Sequence, residues 1–222
     1  MHVLFSVHVL NAVAAQKKPT LSCRFYASAT GNEPVRVWLK SLPSAVRQEI
    51  GADIGQVQWT WPVGKPLVDG FGAGLFEVRT SLEGNILSGA VLFGRRHDGA
   101  AAWLSEEEPE DAQGRGDPGP TTDEGHGGVV MKKKHIGSTL DSLFEELGER
   151  EEVELLTQKK LLAAKIERAM TRKKMTQAEL ARAMRTSRTV VHRLLDPHDT
   201  SVTLATLSKA SKALGVKLLQ VA

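Results

Sequence analysis

The chain has 222 residues, of which 41% are hydrophobic and only 5% are aromatic. This composition is typical of a soluble globular protein with an aliphatic core, and the length allows one large domain or two small ones. The single cysteine, Cys23, excludes an internal disulfide and favours a reducing compartment, so we expect a cytoplasmic protein. Cys23 itself is expected to be a small buried hydrophobe rather than a nucleophile.

Residues 1–20 open with the short apolar run MHVLFSVHVLNAVAA. The run lacks the basic start of a signal peptide and is too short to cross a bilayer. We interpret it as a disordered arm or a mis-assigned translation start. No other segment of the sequence has the length and apolarity of a membrane span, so no membrane partner is expected.

Charge is distributed unevenly along the chain. Residues 155–222 carry 14 Lys and Arg against 4 Asp and Glu, a formal charge of +10, whereas residues 94–128 carry 3 against 9, a formal −6. A basic module that follows an acidic, Gly- and Pro-rich stretch indicates a polyanionic partner for that module. Composition alone does not identify the partner as nucleic acid.

Signals for helix ends are densest in residues 175–215. Thr176 followed by Glu179 forms a capping box, which predicts a helix that begins at Gln177. The residues "RTS" at 185–187 interrupt the apolar pattern, and either Thr186 or Ser187 can cap a second helix. That helix ends at Asp196-Pro197, and a further helix runs from about residue 203 to Gly215. The apolar positions of these helices, and of one that precedes them, are Leu162, Ile166, Met170, Leu180, Ala181, Met184, Val191, Leu194, Leu195, Leu204, Leu207, Ala210 and Leu214.

Two short helices separated by three residues, inside a bundle of four or five, predict a helix-turn-helix. The small Ala181 would let the two helices approach closely. The second helix would then expose arginine and other hydrogen-bonding side chains that can read base edges in the major groove. The alternative is a small helical bundle whose polar residues merely face solvent. The candidate DNA-binding residues are Thr176, Gln177, Ser187, Arg188, Thr189, His192 and Arg193.

Residues 175–195 resemble the helix-turn-helix of the Cro-repressor (XRE) type. The longer run TSRTVVHRLLDPHDTSVTLATLSKASKALG resembles the HigA-type antitoxins of phage-related toxin–antitoxin pairs. The resemblance implies a DNA operator as partner, bound by a homodimer. One position departs from the pattern, because Arg185 stands where the turn usually has glycine. Either the turn avoids a positive φ there, or the site is strained by about 1 kcal/mol.

Residues 131–156 begin with Met131 and a basic run, which is typical of a natural translation start. Ser138 and Asp141 predict another capping box. Leu140, Leu143, Phe144 and Leu147 follow as an apolar stripe. This helix either packs on its own bundle or is offered to a partner. The antitoxin resemblance implies a cognate HigB-type toxin, bound through residues 138–148.

Residues 21–93 predict a mixed α and β structure. LSCRFYA is a strand candidate, EPVRVWLKSL and PSAVRQEIGADIGQVQ are amphipathic helices, and LFEVRTSL and ILSGAVLF form a hairpin across EGN. With the segment WPVGKPL, this order resembles the HigB-type toxins of the RelE superfamily, which cut messenger RNA on the ribosome. The basic tail of that family is missing, and only Arg79 matches a position the family uses. We therefore interpret Arg79 as structural and predict no catalytic, cofactor-binding or metal-binding residues.

Residues 94–130 are acidic and rich in Gly and Pro, which predicts disorder. With a suitable choice of codons, the same nucleotides shifted by one base can encode MMALLHGFQKKSPKTPK, which contains the tail motifs of the toxin family. We therefore interpret this segment as out-of-frame translation that fuses a truncated toxin to an antitoxin. A sequencing error and an evolved acidic linker are the alternatives. On this interpretation the toxin remnant has lost its last strand and exposes a hairpin edge.

The predicted fold is an incomplete α+β remnant over residues 21–93, followed by an all-α helix-turn-helix bundle with a short carboxyl-terminal strand over residues 131–222. The predicted function is sequence-specific binding to an operator, with repression of the protein's own promoter. A self-inhibited toxin–antitoxin fusion with ribosome-dependent endoribonuclease activity is the alternative. An antitoxin that binds only protein is a third reading.

Overall fold

The computed structural model describes residues 19–72, 75–82, 85–96, 99–104, 122–123, 128–129 and 135–218 of the chain. The expectation for residues 1–20 therefore lies almost wholly outside the described residues. The chain divides into two compact units, Pro19–Val153 and Glu154–Ala222. Among the described residues, no helix is long and apolar enough to cross a membrane.

The described elements of the first unit are β1 Ser22–Tyr26, α1 Pro34–Ser41, α2 Ser44–Thr60, β2 Val68–Gly72, β3 Leu75–Leu82, β4 Asn85–Arg96, β5 Gly99–Leu104, β6 Thr122–Asp123, β7 Gly128–Val129, β8 Ile136–Thr139 and α3 Leu140–Leu147. Six of the strands form one sheet in the order β2-β3-β4-β5-β1-β8. Its neighbouring strands are antiparallel except β1 and β5, which are parallel. The two-residue strands β6 and β7 form a separate antiparallel pair.

The elements predicted within residues 21–93 are confirmed. The strand, the two helices and the hairpin are β1, α1, α2 and the β3–β4 pair, with Leu82 opposite Asn85 across the turn. Pro43 stands at the amino-terminal cap of α2. Cys23 is buried, and burial raises the pKa of its thiol far above the usual range, which makes the thiolate inaccessible.

The start of the segment 94–130 differs from the expected disorder. Strand β4 continues to Arg96, and β5 pairs with both β4 and β1. The hairpin edge that was expected to be exposed is therefore covered along Val91–Arg96. The physical reason is local composition, because GAAAWL at residues 99–104 is apolar and the acidic run begins only at Glu106. Beyond Leu104, the described residues of this segment are those of β6 and β7.

The segment that follows also differs from expectation, because residues 136–153 belong to the first unit and not to the helix-turn-helix domain. Strand β8 pairs antiparallel with β1, with Tyr26 opposite Ile136. The apolar side of α3, which includes Leu143 and Phe144, lies in the same core as Phe25 and Leu39. The predicted apolar stripe is thus confirmed, and it packs in the core of the α+β unit.

The capping box predicted at Ser138 and Asp141 is wrong. Thr139 caps α3, and its hydroxyl accepts a hydrogen bond from the Ser142 amide at 3.1 Å. Ser138 lies in β8, where its hydroxyl donates to the Glu33 carboxylate at 2.6 Å. Pairing with the sheet fixes the extended backbone through Thr139, so the helix can begin only one residue later than the local pattern indicates.

Ion pairs join residues 145–149 to α1 and α2. Glu146 accepts from Arg36 at 2.5 Å and from Lys40 at 2.6 Å. Arg47 binds Glu149 through two nitrogens, at 2.5 Å and 2.9 Å, and both side chains are nearly buried. The hydrogen bonds from Arg47 hold the pKa of Glu149 below its usual value. A desolvated bidentate pair of this kind fixes orientation more strongly than an exposed one.

The close packing of α3 on α2 depends on a glycine. A Cβ atom at Gly51 would collide with the ring of Phe144 and would touch Val153 at 3.1 Å. The ring of Phe144 is buried. Gly51 therefore provides the space that the aromatic side chain of the later segment occupies.

The second unit is helical. Its elements are α4 Arg150–Lys173, which begins just before the boundary, α5 Gln177–Ala183, α6 Arg188–Leu195 and α7 Leu204–Leu214. The predicted core positions are buried, with two exceptions. Leu195 is only partly buried, and Leu204 is 48% exposed because it is the first residue of α7 and precedes the turn that packs. The expected carboxyl-terminal strand is absent from residues 216–218, and residues 219–222 lie outside those described.

Candidate nucleic-acid interface

Helix α5 begins with the predicted capping box. The Thr176 hydroxyl accepts from the Glu179 amide at 3.3 Å, and the Glu179 carboxylate accepts from the Thr176 amide at 2.7 Å. The hydrogen bond from the Thr176 backbone holds the pKa of Glu179 below its usual value. Gln177 is the first residue of the helix and is exposed. The cap therefore uses the Thr176 hydroxyl locally and leaves the Gln177 amide free to point outward.

The turn between α5 and α6 is tight and has a left-handed residue. Arg185 has a φ of +51°, so the strained alternative is the one that the structure adopts. Its amide donates to the carbonyl of Arg182 at 3.0 Å, and the amide of Thr186 donates to the carbonyl of Ala181 at 2.9 Å. Ala181 is buried in the same core as Val191 and Leu194 of α6. The turn ends α5, and Ser187, which caps α6, follows it directly.

Helix α6 has one apolar and one polar side. Ser187 caps it by accepting from the Val190 amide at 3.3 Å. Val191 and Leu194 are completely buried in the core of the second unit. Four of the other side chains are exposed, and none of these is acidic. These exposed residues of α6 are Arg188, Thr189, His192 and Arg193.

Arg193 has one ionic contact beside the helix. Its Nε lies 3.7 Å from the carboxylate of Asp199, and the side chain is 63% exposed. Asp199 also accepts from the hydroxyl and amide of Ser201, which hold the pKa of its carboxyl below the usual value. At this distance the pair is weak and exposed, so it orients the guanidinium without occupying its donors.

The structure thus gives the seven predicted residues two different geometric roles. Thr176 and Ser187 cap helices, so their hydroxyls already accept backbone hydrogen bonds. Gln177 and the four exposed residues of α6 are the ones whose side chains are open to solvent. All seven belong to α5 and α6 or are the residues that cap them.

One residue of this domain was not found from the sequence. Lys159 on α4 is 0% exposed, and its ammonium donates to three carbonyls at the carboxyl end of α6, those of Arg193 at 3.1 Å, Leu194 at 2.9 Å and Asp196 at 2.5 Å. A signal was available. Lys159 precedes Leu162 and Ile166 by three and seven residues, which puts a charged residue on the apolar face of its helix.

Residues 165–221 match the family model of the Cro/C1-type helix-turn-helix DNA-binding domain. The match covers α5, α6, α7 and the end of α4, so these elements form a DNA-binding domain of the Cro/C1 type. No curated protein and no solved structure matches the chain.

Glycine substitutions at two positions should relieve backbone strain in this domain. Arg185 and Lys174 both have a positive φ, of 51° and 52°, at the ends of α5 and α4. A side chain in this conformation costs about 1–2 kcal/mol, and the greater freedom of glycine in the unfolded chain offsets about half of that. We predict that Arg185→Gly and Lys174→Gly each raise the free energy of unfolding of the second unit by about 0.5–1 kcal/mol.

The measurement is amide hydrogen exchange at Leu180 and Leu194, because residues 154–222 contain no tryptophan. Gly215→Ala is the opposite control. Gly215 has a φ of +64° and ends α7, and its added Cβ would make only an ordinary contact, at 3.4 Å from Lys173. Alanine there should lower the free energy of unfolding. Equal exchange in all three variants and the unmodified chain would contradict the prediction.

Proposed function

We propose that the protein is a sequence-specific DNA-binding regulator of the antitoxin type, which binds a double-stranded operator as a homodimer and represses its own promoter in the cytoplasm. The observation that carries the proposal is the exposed side of α6. It is polar, cationic and free of carboxylates, and it belongs to a domain of the Cro/C1 type. The HigA resemblance of residues 175–215 supports the antitoxin role.

The chemistry of the exposed side suits the major groove. Arginine can donate two hydrogen bonds to guanine O6 and N7, which makes Arg188 and Arg193 the proposed base-reading residues. Thr189 and His192 stand between them and can add hydrogen bonds or contact a thymine methyl group. Gln177, at the start of α5, is placed to donate to a backbone phosphate and so to set the register of α6.

A dimer follows from the small size of this surface. Helix α6 has eight residues, and a recognition helix of that length reaches only a few base pairs. Two copies on half-sites about one helical turn apart would give the specificity that one copy lacks. The formal charge of +10 over residues 155–222 should make the affinity fall steeply with salt, because bound cations release counterions from DNA.

A second function, neutralisation of a cognate HigB-type toxin through residues 138–148, is supported by the contacts of the first unit. Strand β8 extends the sheet at β1, and α3 buries Leu143 and Phe144 in the core. Glu146 and Glu149 pair with cations of α1 and α2. These are the features of strand addition combined with a helix in a groove. The residues that receive this segment are those that resemble the toxin family.

We propose that the toxin-like part has no endoribonuclease activity. Its candidate residue, Arg79, pairs with Glu77 at 2.9 Å and with Asp69 at 3.1 Å. A guanidinium held by two carboxylates is poorly suited to bind a phosphate or to offset developing negative charge. The contacts of Arg79 favour a structural role for it.

Removal of the two α6 arginines should abolish operator recognition. In a gel-shift assay with a duplex selected from a random pool by the unmodified chain, Arg188→Ala with Arg193→Ala should weaken binding at least about tenfold and relax the sequence preference. The matched control is Lys209→Ala with Lys212→Ala, which removes the same charge from exposed positions of α7. That control should lose affinity equally for selected and scrambled duplexes.

Equal binding of the selected duplex by the arginine double variant and the unmodified chain would refute the base-reading assignment. Equal weakening on selected and scrambled duplexes would place the two arginines on phosphates. Failure of the unmodified chain to select any duplex would refute the regulator proposal itself.

The neutralisation proposal predicts that the chain can be divided. Residues 1–104 and residues 131–222, produced together as separate chains, should purify as one complex. Phe144→Ala should weaken the complex by about 3–4 kcal/mol, or more than a hundredfold, because it removes a buried ring. Gly51→Ala should weaken it as well, because the new methyl group collides with that ring.

Leu204→Ala is the control, since it truncates an exposed apolar side chain outside the first unit. Combining Gly51→Ala with Phe144→Ala should cost less than the sum of the two changes, because the collision disappears with the ring. Independent behaviour of the two fragments, or unchanged association with Phe144→Ala, would contradict the proposal.

A further inference from the structure

Helix α6 ends abruptly, and its terminal carbonyls need partners. The last four carbonyls of a helix have no intrahelical donor. Asp196 caps α6 in an extended conformation and is followed by Pro197, which has no amide proton to offer. The carbonyls of Arg193, Leu194 and Asp196 instead accept from the single ammonium of Lys159 on α4.

The ammonium is placed well for this purpose. It has three protons for three carbonyls, and a cation at the carboxyl end of a helix is favoured by the helix dipole. Asp196 and Asp199, in the loop that follows α6, attract it, while the guanidinium of Arg193 pairs with Asp199 beside it. These are the charged groups that the contacts of the described residues place around Lys159.

We propose that Lys159 is a positioning residue for DNA reading: by holding the carboxyl end of α6 against α4, it sets the angle and depth at which α6 presents its exposed side to the operator. This inference rests on the proposed function. It adds a residue that touches no DNA to those that determine recognition.

Burying the charged ammonium of Lys159 costs free energy. This cost indicates that the residue positions α6 rather than stabilises the fold. Burial lowers the pKa of the Lys159 ammonium from its usual value of 10.5 to about 8. The unfolded chain therefore keeps this proton to a higher pH than the folded domain does. It follows that the charge reduces the free energy of unfolding below pH 8, and that this reduction disappears as the pH rises from about 8 towards 10.5.

DNA binding should change in the opposite direction over the same range. A neutral amine keeps two protons and presents a lone pair, so it can donate to only two of the three carbonyls. Operator affinity should therefore fall as the pH rises through about 8, while resistance to unfolding does not fall. If Lys159 merely stabilised the fold, operator affinity and the free energy of unfolding would change in the same direction.

The experiment compares Lys159→Met with Lys165→Met in the full chain. Lys165 lies on the same helix and is exposed, and its ammonium donates to the carbonyl of Lys217, beyond the end of α7, at 2.5 Å. The probe is a duplex selected from a random pool by the unmodified chain, and its affinity is measured from pH 7 to pH 9.5. Amide exchange at Leu180 and Leu194 reports stability over the same range.

Lys159→Met should lose about tenfold or more in affinity at pH 7, with slower or unchanged amide exchange, and should show no transition near pH 8. Lys165→Met should lose less affinity and should keep the transition. The inference is overturned if Lys159→Met binds as the unmodified chain does, or loses affinity only in proportion to lost stability. It is also overturned if the unmodified chain and Lys165→Met show no transition near pH 8, a result that needs no folded Lys159→Met.

If the unmodified chain selects no duplex, the proposed function fails and this inference fails with it. If it selects a duplex whose binding is indifferent to Lys159, only this inference fails.

Discussion

Recognition by this domain depends on the burial of the apolar side of α6 in the core that it shares with α5. Val191 and Leu194 have no exposed surface, so the helix has one rotational setting in which both are satisfied. That setting turns Arg188 and Arg193 outward. The surface proposed to read DNA is therefore a consequence of the core, because the burial of Val191 and Leu194 fixes the rotation of α6 about its own axis. Core and recognition cannot change independently at these positions.

Several polar side chains of this domain form hydrogen bonds at the ends of its helices. Thr176, Ser187 and Thr203 each cap a helix by accepting from a backbone amide. Left-handed residues close α4, α5 and α7, although only the last of these is a glycine. At the carboxyl end of α6, the buried ammonium of Lys159 provides the hydrogen bonds instead, for example to the carbonyl of Leu194. Short helices bury few apolar residues, so the satisfaction of their terminal groups has a large share in fixing their geometry.

The sequence predicted the helix-turn-helix closely, because capping boxes and the 3.6-residue period are local signals. Helix α5 begins at Gln177 as predicted, and α7 ends at Leu214 with Gly215, the predicted stop, as its cap. Long-range pairing was not predictable in the same way. Strand β8 and the parallel pairing of β5 with β1 depend on partners far away in the chain, and the average composition of the segment 94–130 hides the apolar residues at its start. The position of Lys159 on the apolar face of α4 indicates a buried charge, but its partners are backbone carbonyls, which have no sequence signature.

The central claim is that α6 enters the major groove, and chemical interference tests it directly. Dimethyl sulfate methylates guanine N7 in the major groove and adenine N3 in the minor groove, and these atoms present different edges to a protein. On a duplex selected by the unmodified chain, methylation of guanine N7 at two clusters about one helical turn apart should block binding. Interference confined to adenine N3, with guanine N7 methylation tolerated throughout, would contradict the account.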